Sequence, residues 1–186
     1  MVGELTFALN ARNKGKYMQE LFMSVFNKAK TSGFYLWLFN FILHIKVPFN
    51  KPHNIRFTKI TDDSLESWIP YKRSNYNHLK GLHACALATI AEYTSGILLI
   101  SKLDPAKYRL IMQTLEINYL KQGKKDAKVK LSINNTDLQE KILNPLQNND
   151  SINFKQDVEV FDVEGIHLCT ATVNWQIKDW QKVRMK

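Results

Sequence analysis

The order of hydrophobic and polar residues divides the 186-residue chain into helical and extended segments. In segment 16–30 apolar residues recur every three or four positions, which predicts a helix with one apolar face. Segment 34–49 is the most apolar of the chain and predicts a second helix, which Pro48 and Pro52 end. It is shorter than the ~20 residues that a membrane-spanning helix needs. We expect this helix to pack on the domain, and the alternative is a helix that lies in a membrane surface.

A third helix is predicted from about His83 to Lys102, where apolar residues occupy nearly every side. A helix without a polar face is usually buried. Glu92 is the one carboxylate within this run. Burying an ionised carboxylate is costly unless it is paired, hydrogen-bonded or protonated. Glu92 is therefore the first candidate for a functional residue.

Alternating apolar and polar residues predict strands on both sides of the third helix. Two strands precede it, over residues 55–60 and about 64–71, and about four follow it. These four lie over about 108–122, 129–133, 152–160 and 167–175, with a short helix in the polar segment 134–150, capped by Thr136 or Asp137. On the first of the four, one face should carry Ile111, Leu115, Ile117 and Tyr119. Grouped strands with segregated helices indicate the α+β class, in which an antiparallel sheet wraps around the apolar helix.

The positive net charge of the chain indicates which classes of partner are possible. The formal net charge is +9 and the sequence pI is about 9.5, which suits nucleic acid, an anionic membrane or a phosphorylated ligand such as a nucleotide or coenzyme A. A merely solvated basic surface accounts for the charge equally well. The lysines are scattered and no nucleic-acid motif accompanies them, so we expect no nucleic-acid partner.

The two cysteines, Cys85 and Cys169, have no neighbours at metal-ligand spacing, so the sequence predicts no metal site. We expect both to be small buried residues. The first residues lack the ordered parts of a secretory signal. The expected setting is therefore reducing and cytoplasmic.

Residues His83 to Glu92, HACALATIAE, resemble the helix-start motif of hotdog-fold acyl-CoA thioesterases of the phenylacetate-pathway type, roughly H-G-G-A-L-A-T-L-A-D. Asn77-His78 resembles the polar loop that precedes the helix in that superfamily, and Tyr119-Leu120-Lys121 resembles a strand segment that usually reads Y-L-[KR]-P. The resemblance covers about residues 34–176. It is strongest to an uncharacterised branch known only as domain of unknown function 4442.

Three departures from the motif stand out. Ala84-Cys85 replaces the glycine pair, which makes close backbone approach to a thioester carbonyl less assured. Glu92 replaces aspartate, although related hotdog enzymes use either acid. Gln122 replaces the proline after Tyr-Leu-Lys.

The resemblance implies a hotdog fold: an antiparallel sheet around one long central helix, with extra N-terminal helices. We expect a helical extension over 1–50 and a hotdog thioesterase-like domain over 51–186. His83 and Glu92 are nine residues apart, so they point to opposite sides of the helix, ~13 Å apart along it. They can cooperate only between two copies whose helices run antiparallel. The resemblance accordingly implies a homodimer, which could pair further into a tetramer.

The implied function is hydrolysis of acyl-CoA-type thioesters, with coenzyme A as part of the substrate and no separate cofactor. The implied catalytic residues are Glu92 as general base or nucleophile, Asn77 positioning water or carbonyl, and His83 at the helix start, whose amides near Gly81 to His83 stabilise the oxyanion. The implied substrate-binding residues are Gly81, His78 and Arg73, the last on a coenzyme phosphate.

Two alternative functions are compatible with the same sequence. One is a non-catalytic hotdog module that binds acyl-CoA or fatty-acyl ligands, and the second is a membrane-surface protein that uses segment 34–49. Each candidate residue also has a purely structural alternative: Glu92 as a hydrogen-bonded carboxylate of the dimer interface, His83 as a cap, Asn77 as a turn residue, Gly81 as a helix-entry glycine, and His78 and Arg73 as solvated loop residues.

Overall fold

The computed structural model of the chain describes residues 20–182. The helices are α1 over 20–29, α2 Gly33–Lys46, α3 Ala84–Lys102, α4 Asn135–Leu138 and α5 Asn144–Asn148, with π-helical Gln139–Leu143 between the last two. The strands are β1 Arg56–Ile60, β2 Ser64–Ile69, β3 Tyr108–Tyr119, β4 Ala127–Ser132, β5 Ser151–Asp162 and β6 His167–Asp179. They form one antiparallel sheet in the order β1-β2-β4-β5-β6-β3. The predicted start of the first helix, before residue 20, lies outside the described residues.

The sheet packs around α3, which contacts β2, β3, β4, β5 and β6. Burial alternates strictly along β2 and β4, as it should when one face of each strand meets the helix. Within the described residues α3 is the one helix long and apolar enough to cross a membrane by length and composition, and its burial by the sheet explains that composition. The predicted α+β class, with an antiparallel sheet around one central helix, is confirmed.

α2 packs across the outer edge of β1. Phe39 is fully buried, and its ring lies 5.4–5.7 Å from the rings of Phe22, Phe26 and Phe57. The Asn40 side chain accepts a hydrogen bond from the Phe57 N–H at 2.7 Å and donates to the Phe57 carbonyl at 2.9 Å. These bonds satisfy the backbone of an edge strand that would otherwise be open to pairing. Asn40 interrupts the apolar segment because it attaches α2 to the sheet.

β3 forms the opposite edge, where β6 is its one partner among the strands of residues 20–182. A bulge after Met112 shifts the register, so Ile111 pairs with Gln176, whereas Leu115 pairs with buried Val173. The prediction that Ile111 shares a face with Leu115 is therefore wrong, because the extra residue inverts the alternation.

The polar segment after β4 folds into short helices, as predicted. Its cap is Asn134, whose side-chain oxygen accepts from the Asp137 N–H at 2.7 Å. The predicted caps Thr136 and Asp137 are wrong because both already lie within α4.

Candidate functional site

The first turn of α3 is held by its own cap and by the loop before it. His83 is the N-cap, and its Nδ1 accepts a hydrogen bond from the Cys85 N–H at 3.0 Å. Asn77 organises the loop, because its Oδ1 accepts from the N–H groups of Leu79 and Gly81, both at 2.9 Å. The loop is thereby closed onto the helix start, as capping and Asx-turn chemistry require.

Three backbone amides at this helix start donate hydrogen bonds within the protein. The Gly81 N–H donates to Asn77, the Leu82 N–H to the Gly123 carbonyl at 2.8 Å, and the His83 N–H to the Asn75 carbonyl at 2.8 Å. The prediction that the amides near Gly81 to His83 face the substrate is therefore wrong, because each of them already donates to an acceptor within the protein. The first helix-start amide without a partner among the described residues is that of Ala84. A free N–H at a helix N-terminus can bind an oxyanion.

A cleft of about 430 Å³ lies beside this helix start. The Tyr119 hydroxyl at the end of β3 donates to the Ala84 carbonyl at 3.0 Å, which brings the strand end against α3. The cleft is lined by Asn77, Leu79, Leu82, Ala84, Leu87, Tyr119, Leu120, Lys121 and Gln122. The fold thus unites the two distant segments on which the sequence resemblance depended.

Glu92 lies on the part of α3 that the sheet leaves uncovered. This uncovered face consists of Cys85, Ala88, Thr89 and Glu92, which are exposed or half-buried at helical spacing. The residues between them, Ala86, Leu87, Ile90 and Ala91, are buried. The Glu92 carboxylate forms no hydrogen bond or ion pair with any residue of 20–182, and burial raises its pKa above the ordinary value of 4.5. Glu92 does not line the cleft of its own chain.

Gly96, one turn after Glu92, allows a close approach between helix and sheet. A Cβ at Gly96 would lie 3.1 Å from the Trp175 ring and 3.9 Å from Glu92 Oε1. The Trp175 Nε1–H donates to Ser95 Oγ at 2.7 Å, and Ser95 in turn donates to Gln156 Oε1 at 2.8 Å, all buried. The Trp175 ring thus packs against Gly96 with its own polar atom satisfied by Ser95, and no hydrogen bond among residues 20–182 joins Trp175 to Glu92.

The remaining predicted residues are less central. Gly81 is buried where a side chain would meet Gln122, at 2.5 Å from its Cγ, so its role in the structure is close packing. Arg73 and His78 are exposed on the loop before α3. Neither lines the cleft.

The two cysteines differ. Cys169 is buried, as predicted, and burial raises its pKa to about 11. Cys85 is exposed, so the prediction that it is buried is wrong. Cys85 is exposed because it lies on the face of α3 that the sheet leaves uncovered, and the apolar composition of the helix does not show which side that is. In 20–182 no group of three or more His, Cys, Asp or Glu side chains is placed to hold a metal ion.

Asn75 is a site residue that the sequence did not single out. It is buried, its amide donates to the carbonyls of Pro70 and His53, and its own carbonyl accepts the His83 N–H. It therefore positions the cap of α3. The one available signal was an asparagine in a polar loop, and such residues are usually exposed.

Comparison with known proteins gives a family and a fold. The family model described as "Domain of unknown function (DUF4442)" matches residues 36–177. No curated protein matches the chain.

Several solved structures are similar. A Pseudomonas aeruginosa protein of unknown function, described as a probable thioesterase, is 17% identical with a TM-score of 0.70 over 75% of this chain and 93% of the other. A Chlorobaculum tepidum protein of unknown function is 9% identical with a TM-score of 0.64 over 83% and 94%. A Haemophilus influenzae thioesterase is 10% identical with a TM-score of 0.59 over 77% and 90%. At such identities the likeness shows the fold alone, and that fold is the predicted hotdog.

Proposed function

The chain belongs to the DUF4442 family, and from that premise we propose that it is a homodimeric hydrolase of acyl-CoA-type thioesters. The observation that carries this proposal is the uncovered face of α3. The amide of Ala84 lies at its start and the half-buried carboxylate of Glu92 lies two turns further on, and neither group has a hydrogen-bond partner within residues 20–182. The thioesterases among the similar structures support the same reaction class.

The two groups require a second copy of the chain. Eight residues separate Ala84 from Glu92, which is about 12 Å along the helix, too far for one small reacting group. Two copies with antiparallel α3 helices bring the amide of one to the carboxylate of the other. Ala88 lies midway between them, and its small side chain permits close approach.

The sheet offers the edge for this pairing. β3 is a 12-residue edge strand with exposed apolar residues, Ile111 and Met112 among them. Such an edge is a template for another strand. Antiparallel pairing of two β3 strands about a two-fold axis also sets the α3 helices side by side and antiparallel.

The reaction follows from the roles of these groups. The thioester carbonyl oxygen accepts from the Ala84 N–H, where the helix dipole stabilises the developing negative charge. Glu92 of the partner subunit takes a proton from water, and the hydroxide attacks the carbonyl carbon. The tetrahedral intermediate expels the coenzyme thiolate, which takes up the proton, and the products are the carboxylic acid and the thiol. The raised pKa of Glu92 makes its carboxylate a better base than an exposed one.

Other residues of the cleft have supporting roles. The Oδ1 of Asn77 is used by the loop, so its Nδ2 remains to donate to the carbonyl or the water. Leu82 and Leu87 give the acyl group an apolar wall, and Lys121 at the rim suits the phosphates of coenzyme A. His83 acts as a positioning residue through its cap. Arg73, His78 and Gly81 stay predicted substrate contacts.

The test is hydrolysis of a panel of acyl-CoAs, measured by release of the free thiol. We expect Glu92→Gln to lower kcat by about 10²–10⁴-fold, as loss of a general base does. The control is Glu159→Gln, an exposed glutamate on β5, which should leave the rate unchanged. Equal rates for wild type and Glu92→Gln would remove Glu92 from the mechanism. Thermal stabilisation of the wild type by acyl-CoA without turnover would instead assign the non-catalytic binding module.

A further inference from the structure

α2 carries a second apolar face that the domain does not cover. Its inner face buries Phe39 and Leu43 in the core. The outer face, which we call the aromatic stripe, exposes each of its side chains by 50–68%. The stripe consists of Phe34, Trp37, Phe41, Ile45 and, just after the helix, Phe49.

The aromatic stripe is an ordered surface. The Trp37 ring stacks on Phe34 at 6.0 Å and on Phe41 at 5.6 Å between centroids. At its C-terminal end, Ile45 also lines an apolar groove of about 540 Å³ between α1, α2 and the end of α3. Apolar surface thus continues from the stripe into the protein. A contiguous exposed patch of this kind marks a binding surface rather than a scattered set of side chains.

Charge around the stripe identifies the partner. Residues 20–60 contain six lysines and arginines and one acidic residue. Among them, Lys28, Lys46, Lys51 and Arg56 are exposed and form no ion pair with any acid between residues 20 and 182. Arg56 lines a recess together with Trp37 and Phe41, so one cation lies directly beside the rings.

This combination fits an anionic lipid surface better than a second copy of the chain. A helix with aromatic residues on one face and lysines at its margins lies in the boundary between headgroups and acyl chains. Anionic headgroups neutralise exposed cations. A second copy docked on the same stripe would instead bring like charges together. The inward-facing Asn40 and His44 are bonded to the Phe57 and Ile55 carbonyls, so they do not interrupt the outer face.

We propose that the aromatic stripe of α2 docks the protein on a membrane surface that contains anionic lipid. The rings of Trp37 and Phe41 enter the headgroup boundary, and the exposed lysines and Arg56 contact lipid phosphates. This proposal is independent of the proposed reaction, because binding to lipid needs neither Glu92 nor the cleft.

The experiment is co-sedimentation of the full chain with vesicles of phosphatidylcholine and phosphatidylglycerol, and with vesicles of phosphatidylcholine alone. We expect binding to the anionic vesicles that weakens with added salt. The double variant Trp37→Ser and Phe41→Ser should bind at least about tenfold more weakly, since each buried ring contributes to partition. The double variant Lys46→Glu and Lys51→Glu should lose binding to the anionic vesicles.

A matched control removes exposed apolar side chains elsewhere. Val163→Ser with Ile166→Ser changes the turn between β5 and β6, and should bind like the wild type. Because all the substituted residues are exposed, circular dichroism should show the same folded state in each variant. Wild type that fails to bind either vesicle overturns the proposal, as does a control variant that loses as much binding as the stripe variant. A change of oligomeric state in the stripe variant by light scattering also overturns it, because a second copy would then cover the stripe.

Discussion

At the scale of single residues, the Glu92 carboxylate is half-buried on α3 and has no hydrogen-bond partner among the described residues. Burial without compensation disfavours the ionised form, which is why its pKa is raised. The same property serves a general base, because a carboxylate with a higher pKa binds a proton more strongly. Function and stability are therefore expected to oppose each other at this position.

Glu92→Gln should raise the melting temperature at pH 7 by a few degrees, because it removes the burial of a charge. The folded-state pKa lies above the unfolded one, so the destabilisation by the charge is fully present above the folded pKa and vanishes below the unfolded pKa. The gain should accordingly disappear as pH falls through about 4.5. Melting curves of both proteins from pH 4 to pH 8 check this, and a variant that is less stable at pH 7 would show that the carboxylate has a stabilising partner.

His83 can be tested separately as a cap. His83→Ala should lower the free energy of unfolding by about 0.5–2 kcal/mol, because the Cys85 N–H loses its acceptor. His83→Asn supplies another side-chain acceptor and should recover most of both stability and turnover. Turnover that is lost equally in the two variants would show that the imidazole itself takes part in the chemistry.

At the scale of elements, secondary structure is predicted correctly where the pattern within one segment is enough to determine it. The period-two pattern of β4 and the all-round apolar pattern of α3 were sufficient, and both elements are present. The bulge in β3 was missed because it depends on the register with β6. The sequence predicts free amides at Gly81 to His83, but these amides donate to Asn77, Gly123 and Asn75. Which acceptor meets which amide depends on how the loop folds against the segment after β3, and the linear pattern does not show this.

The contact between α3 and the sheet gives a prediction at this scale. Ser95→Ala should lower the free energy of unfolding by about 1–3 kcal/mol, because it leaves the Trp175 Nε1–H and Gln156 Oε1 buried without a shared partner. Urea unfolding followed by circular dichroism measures the loss. Ser101→Ala is the control on the same helix, because the half-buried Ser101 hydroxyl bonds only its own helix, to the Leu98 carbonyl, and its loss should be much smaller. Equal losses of unfolding free energy in the two variants would mean that the hydrogen bonds among Ser95, Trp175 and Gln156 do not stabilise the protein.

At the scale of the whole molecule, the two edges of the sheet differ. α2 covers the β1 edge and bonds to its backbone through Asn40, whereas no described part of the chain pairs with the outer side of β3. The open edge adjoins the uncovered face of α3, since Tyr119 of β3 contacts Ala84. A dimer formed through β3 would complete the proposed site and leave the aromatic stripes at the two far ends, free to meet lipid.

The shared site can be tested by complementation between two inactive subunits. Ala84→Pro removes the proposed oxyanion donor with little strain, because Ala84 is the first residue of α3, where proline is favoured, and His83 before it is extended, with φ −64° and ψ 140°. We expect the Ala84→Pro homodimer to lose about 10²–10³-fold in kcat, and the Glu92→Ala homodimer to be inactive as well. A hybrid dimer, isolated through two different affinity tags, combines Ala84 of one subunit with Glu92 of the other and should regain about half of the wild-type rate. A hybrid that is as inactive as both parents, while circular dichroism and light scattering show it folded and dimeric, would refute the site shared between subunits.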